Sequence, residues 1–308
     1  MRIDKMLGLE FPIFQGGMAN IATGEFAAAV SNAGALGIIG SGGMHTETLR
    51  ENIRRAKEET DRPFGVNLML MSREVDEMAQ LIAEEKVPVV TTGAGSPAKY
   101  LDLWHEAGAR VFPVVSSVTL AKRLERDGAD GLIAEGCESG GHVGEMTTMV
   151  LLPEVVDAVS IPVLGAGGIA DGRQMAAAFT LGASGVQIGT RFLYSEECPI
   201  HENYRNMLLR AKDNGTTVIG RISGTPVRVL KNPMAREYIK KERQGADKME
   251  LEEYTLGAMR RAVRDGDTKT GSLMAGQTSG MIGEIKPVRA ILEELMDGYE
   301  AARKKAAE

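Results

Sequence analysis

The chain predicts an α/β fold, a (β/α)8 TIM barrel with a small helical insertion covering the barrel mouth. Three observations carry this. Short β-branched runs alternate with amphipathic helices about eight times over the first two thirds of the sequence. Strands that alternate with helices of about 10–15 residues make βαβ units and a parallel sheet. The runs also end in glycine-rich or polar exits, where a barrel gathers its chemistry. Eight units within roughly 200 residues suit a closed barrel better than an open doubly wound sheet.

In order, the expected strands are Ile13–Gln15, Leu36–Gly40, Phe64–Leu70, Val87–Thr92, Arg110–Val115, Gly131–Ala134, Val163–Gly165 and Gly185–Gly189. Pro12, Pro63, Pro88 and Pro162 stand at four strand starts, where a missing N–H costs little. The other four entries read Gly34-Ala35, Gly108-Ala109, Gly128-Ala129 and Gly182-Ala183, each glycine a left-handed stop for the preceding helix. Helical faces between them are spelled by Leu49, Ile53 and Ala56, by Val75, Met78 and Ile82, and by Leu120 with Leu124.

After the eighth strand the pattern changes. A helix is expected around Asn203–Lys212, and Arg221–Asp267 is charged and apolar in helical order, including Glu237–Arg243 and Glu250–Arg264. The expected division is a barrel of residues 1–200 plus 284–308 and a small, mainly helical lid of 201–283. The final helix, Lys286–Glu308, carries Val288, Ile291, Leu292, Leu295, Met296 and Tyr299 as one apolar stripe and supplies the missing eighth barrel helix.

The net charge of −6 argues against a nucleic-acid partner, whose footprint would be basic. Two cysteines, Cys137 and Cys198, give neither a disulfide framework nor a metal-ligand spacing, and a reduced setting fits. No run reaches the roughly 18 apolar residues of a membrane span, and the N-terminal residues lack a leader's apolar core. The expectation is a cytoplasmic protein with no membrane, nucleic-acid or metal partner.

The strand exits hold the candidate chemistry. Gln15-Gly16-Gly17-Met18-Ala19 follows the first strand, Asn67 lies in the third, and Thr91-Thr92-Gly93-Ala94-Gly95 ends the fourth. The sixth leads into Glu135-Gly136-Cys137-Glu138-Ser139-Gly140-Gly141-His142-Val143-Gly144-Glu145, where glycines leave His142 little shielded. Histidine exchanges a proton near neutral pH, so His142 is the catalytic candidate. The seventh strand ends in Gly165-Ala166-Gly167-Gly168, and the eighth in Gln187-Ile188-Gly189-Thr190. Gly167, Gly168, Gly189 and Thr190 offer N–H groups and one hydroxyl in the two loops where barrels bind phosphate. Gly165-Ala-Gly-Gly-Ile-Ala170 also fits a dinucleotide fingerprint, but the acidic residue expected about 20 positions on is absent. Asn67 and Gln187 carry both donor and acceptor atoms, which suits the polar edge of a flavin ring.

Met18, Met69, Met71, Met146, Met149 and Met274 fall near loop ends and could line a deformable pocket, although core filling suits most methionines. His45, His105 and His201 read as structural.

Several segments together resemble one family: PIFQGGMA (12–19), GALGIIGSG (34–42), PFGVNLML (63–70), VVTTGAGSPAKY (89–100), AEGCESGGHVGEMTTMVLLPEV (134–155), GAGGIADG (165–172), VQIGTRF (186–192) and SLMAGQTSGMI (272–282). The chain resembles the FMN-dependent enoyl-[acyl-carrier-protein] reductases of type II, kin of the nitronate monooxygenases. Cys137 departs from the expected methionine or small apolar residue.

The resemblance implies FMN bound across the strand ends, its phosphate at Gly167, Gly168, Gly189 and Thr190. The ring would lie near Gly17, Met18, Asn67, Glu135 and Gln187, with Met274, Ala275 and Gly276 closing over it. Ala19, Gly141, Ala166 and Gln277 complete the implied cofactor contacts. It further implies NADH or NADPH as reductant, sensitivity to monovalent cations in some members, and an acyl-carrier protein bearing the enoyl substrate. A homodimer is expected. His142 would protonate the substrate or hydrogen-bond its enolate. As a nitronate monooxygenase, the same His142 would act as a base on a nitroalkane. A non-catalytic flavin-binding barrel is the third reading. Arg228, Lys231, Arg236, Lys240, Lys241 and Arg243 form a local basic cluster in an acidic chain, either a docking face for an acidic carrier or a solvated helix face.

Overall fold

The computed structural model describes residues 2–308. Its strands are β1 (Ile13–Gln15), β2 (Gly37–Gly40), β3 (Phe64–Met69), β4 (Val89–Gly93), β5 (Arg110–Val115), β6 (Leu132–Glu135), β7 (Gly141–His142), β8 (Val163–Ala166), β9 (Gly185–Ile188), β10 (Thr216–Ile219) and β11 (Val227–Leu230). Eight of them form one parallel sheet in the order β1-β9-β8-β6-β5-β4-β3-β2. A parallel bridge between Phe14 and Leu36 joins its two ends, with N–H···O bonds of 2.9 Å from Gln15 to Leu36 and from Leu36 to Ile13. The sheet is therefore a TIM barrel.

The eight expected strands lie within two residues of those observed. Gly34, Gly108, Gly128 and Gly182 all have φ near +90 to +105°, the left-handed stops that let each strand start at once. Phe14, Leu36, Ile38, Val89, Phe112, Ile133 and Leu164 fill the barrel interior, with Phe14 and Phe112 edge-on at 5.4 Å. One element carried no sequence signal. The five-residue helix Ile3–Leu7 plugs the lower end, its Ile3 fully buried and donating its N–H to Ser184. Five residues are too few for periodicity to register.

Helix Val288–Ala306 completes the wall. Val288, Ile291, Leu292, Leu295 and Tyr299 are its buried face, and it packs on helix Gly172–Thr180. The contact is close enough to require glycine at position 172. A Cβ on Gly172 would stand 2.2 Å from the Gly298 carbonyl carbon. Arg289 ties the other flank to Glu10 at 2.7 Å and to the Ala33 carbonyl at 3.2 Å.

The segment after the eighth barrel strand is mainly helical but also holds a small sheet that the sequence did not show. It contains helices Glu202–Leu209, Pro233–Arg243, Lys248–Thr255 and Ala258–Arg264, but also β10 and β11, which are antiparallel. β11 also pairs with β7 from the barrel loop, and Val229 bridges to Met274. Four-residue strands embedded among charged helices give too short an alternation to be seen as period two. Among the described residues, no helix is long and apolar enough to cross a membrane.

Candidate active site

The C-terminal strand ends open into a cavity of about 450 Å³, within the range of small-molecule sites. Gly17, Met18, Ala19, Asn67, Glu135, Gly141, His142, Gly167, Gly168, Gln187, Gly189, Thr190, Met274 and Ala275 all line it. Three expected contacts stand elsewhere. Ala166 is buried in the barrel interior, and Gln277 points outward while Thr278 takes its place on the wall. Gly276 is buried behind the wall and donates its N–H to the Thr190 hydroxyl at 2.9 Å. Met18, Met69, Met71 and Met274 line the cavity together with Met259, which sequence did not single out. Met146 packs against the core, and Met149 is exposed.

One side of the cavity is built to hold an anion. Gly167 and Gly168 have φ of +82° and +73°, two successive left-handed residues, and a Cβ on Gly167 would lie 2.6 Å from the Gly136 carbonyl oxygen. Their N–H groups and that of Gly189 have no acceptor among the described residues. Gly189 precedes the short helical turn Thr190–Tyr194. Such unpaired donors at the ends of the seventh and eighth barrel strands are what a phosphate requires. Helix Thr148–Ala158 braces this side. The Glu138 carboxylate accepts from the Thr148 N–H at 3.0 Å, and the Thr148 hydroxyl lies 2.9–3.1 Å from the Ala166 and Gly167 carbonyls. Glu138 thus supports the glycine loop, a role with no local sequence signature.

The floor is polar where a ring edge could rest. Gln187 Oε1 is buried without a donor, as is the Ser139 hydroxyl. Asn67 donates to the Thr91 hydroxyl at 2.9 Å and crowds Gly17 so closely that a Cβ there would be 2.3 Å from its own. Buried polar atoms normally have partners, so Gln187 and Ser139 mark places where a ligand supplies them. The residues present fit a ligand with a phosphate at one end and a planar ring with hydrogen-bonding edges at the other.

Two titratable groups face this space. Glu135, at the end of β6, is surrounded by protein and keeps only exposure to the cavity; that burial pushes its carboxyl up to about 7. His142 sits at the mouth, accessible, with no side-chain hydrogen bond to another described residue. The surrounding protein still lowers its pKa below the ordinary value through desolvation, favouring the neutral imidazole. The other three histidines are structural: His45 meets Glu74, His105 meets Asp130, and His201 accepts from the Asn203 N–H at a helix start.

The loop that presents His142 is fixed from the insertion. Val227 pairs with His142 and Arg228 with Gly141, and the Val143 N–H donates to Pro226 at 3.1 Å. Arg228 is buried and donates through Nε and Nη2 to the Cys137 carbonyl at 3.3 and 2.9 Å. It is therefore a brace of the His142 loop and drops out of the surface basic cluster. No cluster of three or more potential metal ligands occurs among the described residues.

A parallel barrel with an anion cradle, an unsatisfied polar floor and a histidine at its upper rim defines an enzyme of the cofactor-binding barrel class. Within that class, the chain belongs to the nitronate monooxygenase family, whose model matches residues 1–298, and it is an oxidoreductase. It is 30% identical to a (3aS,4S,5R,7aS)-5-hydroxy-7a-methyl-1-oxo-octahydro-1H-indene-4-carboxyl-CoA dehydrogenase of Mycobacterium tuberculosis, covering 96% of this chain and 94% of that one. It is also 30% identical to a probable nitronate monooxygenase of Staphylococcus aureus, covering 96% of each. Among solved structures it is similar to FabK from Thermotoga maritima, at 49% identity and a TM-score of 0.97 over 99% of this chain and 97% of that one. A nitroalkane oxidase from Streptomyces ansochromogenes superposes with a TM-score of 0.87 at 28% identity, over 97% and 98%.

Proposed function

We propose that the chain is an FMN-dependent enoyl-[acyl-carrier-protein] reductase that uses NADH or NADPH to saturate the 2,3 double bond of a trans-2-enoyl thioester. The observation that carries this reading is the 49% identity to FabK, an enoyl reductase by resemblance, held across 99% of the chain, against 28% to the nitroalkane oxidase. The Mycobacterium tuberculosis relative acts, by its name, on another acyl thioester.

The N–H groups of Gly167, Gly168 and Gly189, with Thr190, would hold the FMN phosphate. Gln187 Oε1 would accept from the ring edge, while Asn67, Glu135 and Met18 would lie near it and Met274 and Ala275 would close the wall. Bound FMN supplies hydride transfer between the nicotinamide and the β-carbon of the enoyl group. The chain's own part is proton management. Neutral His142 donates a hydrogen bond to the thioester oxygen as negative charge develops there; the α-carbon proton comes from the protonated imidazolium, directly or through water, which leaves the neutral imidazole to be recharged from solvent. The glycines beside it leave room for the thioester.

A second reading is favoured by one observation. Desolvation keeps His142 neutral, and a neutral imidazole is a competent base for a nitroalkane, as a nitronate monooxygenase would need. Anaerobic titration separates the two. A reductase bleaches with NADH or NADPH and recovers its yellow colour on addition of crotonyl thioester, assayed with and without monovalent cation. Recovery only with oxygen, and turnover of a nitronate, would overturn the reductase assignment.

A further inference from the structure

The six basic residues clustered in the insertion separate into distinct environments. Arg228 is buried against Cys137, and Lys241 lies 3.1 Å from Glu250 and over the Tyr254 ring. Arg236, Lys240 and Arg243 are exposed and stand at i, i+4 and i+7 of helix Pro233–Arg243, hence along one stripe. The opposite face, Met234, Ala235, Tyr238 and Glu242, is buried. Arg236 and Arg243 enter no ion pair among the described residues, Lys240 has only Glu237 at 3.6 Å, and Lys231 is exposed just before the helix. A stripe of three cations with one ion pair between them, on a chain of net charge −6, is a local reversal of sign.

The helix that carries the stripe is connected to the mouth through its buried face. The buried Glu242 carboxylate accepts from the N–H groups of Ile222 and Ser223 at 3.0 Å, fixing the loop between β10 and β11 against this helix. In that loop Arg221 reaches Glu145, three residues beyond His142, at 3.2 Å, and the Ile222 side chain is 71% exposed. A cationic stripe on a helix whose other face anchors the loop carrying Arg221 complements an acidic protein surface.

We propose that Arg236, Lys240 and Arg243 are the docking surface for an acidic carrier protein that delivers its enoyl thioester to the cavity. The proposal rests on the reductase reading and deepens it. Charges at the edge of an interface act mainly on encounter and on salt dependence, so the surface sets KM for the carried substrate and leaves the chemical step alone.

The test uses the flavin-loaded full chain and compares R236E/K240E/R243E with wild type on two substrates bearing the same enoyl group, one on an acyl-carrier protein and one as a small N-acetylcysteamine thioester. Expected is a rise in KM of about tenfold or more for the carrier-bound substrate at low salt, with kcat and the small-thioester kinetics unchanged, and a flatter salt dependence. An unchanged KM for the carrier-bound substrate overturns the docking surface while the reductase reading stands. An equal rise for the small thioester overturns it too, since the charges would then act on the cavity itself. Reduction of neither substrate by wild type overturns both.

Discussion

His142 is paired in register with Val227, so a residue at the rim of the barrel cavity is also a strand partner of the insertion. The candidate acid–base group is positioned by backbone hydrogen bonds from a segment some 85 residues later in the chain, and its loop is braced again by Arg228 on the Cys137 carbonyl.

Removing the imidazole tests the centre of the proposed chemistry. His142→Ala is expected to retain FMN, because the anion cradle and polar floor lie elsewhere in the cavity, and to lose about 10²–10⁴-fold in kcat. Absorbance at the flavin maximum and steady-state kinetics read the two separately. A near wild-type kcat would remove His142 from the mechanism.

Arg228 offers a test of the brace. Arg228→Met keeps much of the side-chain length but leaves the Cys137 carbonyl without its donor. The cost of an unsatisfied buried acceptor is about 1–3 kcal/mol, readable as a lower urea midpoint, and kcat should fall with it as the His142 loop loosens. Unchanged midpoint and kcat would show that the β7–β11 pairing holds the loop alone.

Glu135 gives a pH prediction with a definite sign. Its folded-state pKa of about 7 lies above the ordinary 4.5, so the folded protein keeps a proton that the unfolded chain releases. Its contribution is fully present below about pH 4.5 and is lost as pH rises to 7 and beyond. Glu135→Gln should therefore gain on wild type progressively between pH 5 and 8, by up to about 3 kcal/mol. Chemical denaturation of the flavin-free forms at several pH values checks this; parallel curves would place the Glu135 proton elsewhere.

The contact between Gly172 and Gly298 makes a packing prediction. Gly172→Ala puts a methyl where the Gly298 backbone stands, so helix Val288–Ala306 must shift. Overpacking of this kind costs about 1–3 kcal/mol, measured as a fall in Tm or urea midpoint, with Gly298→Ala expected to cost less because its nearest contact is 3.2 Å.

The barrel was legible because its signals are local and repeated: a left-handed glycine before Ala35, Ala109, Ala129 and Ala183, a strand, then a helix stripe. The residues lining the cavity were legible for a related reason, since strand ends at 13–19, 135–142, 165–168 and 187–190 must converge once the barrel is granted. What stayed hidden depends on distant partners. Nothing around Glu138 announces that it will cap the helix beginning at Thr148. Arg228 looked like its exposed basic neighbours because burial is set by Cys137, far away in sequence. β10 and β11 gained their identity from β7 and Met274, and neither is long enough to show a period.

The eighth wall helix has a consequence for biogenesis. β9 is complete at Ile188, yet the helix that covers the seam beside it begins only at Val288. At ribosomal speeds of about 5–20 residues per second, roughly 100 intervening residues keep that seam uncovered for about 5–20 seconds. During that interval the apolar surface that Ile291, Leu292 and Leu295 will later cover is open to the cell. The nascent chain's exposure to chaperones and to aggregation is therefore concentrated in the time before its last long helix emerges.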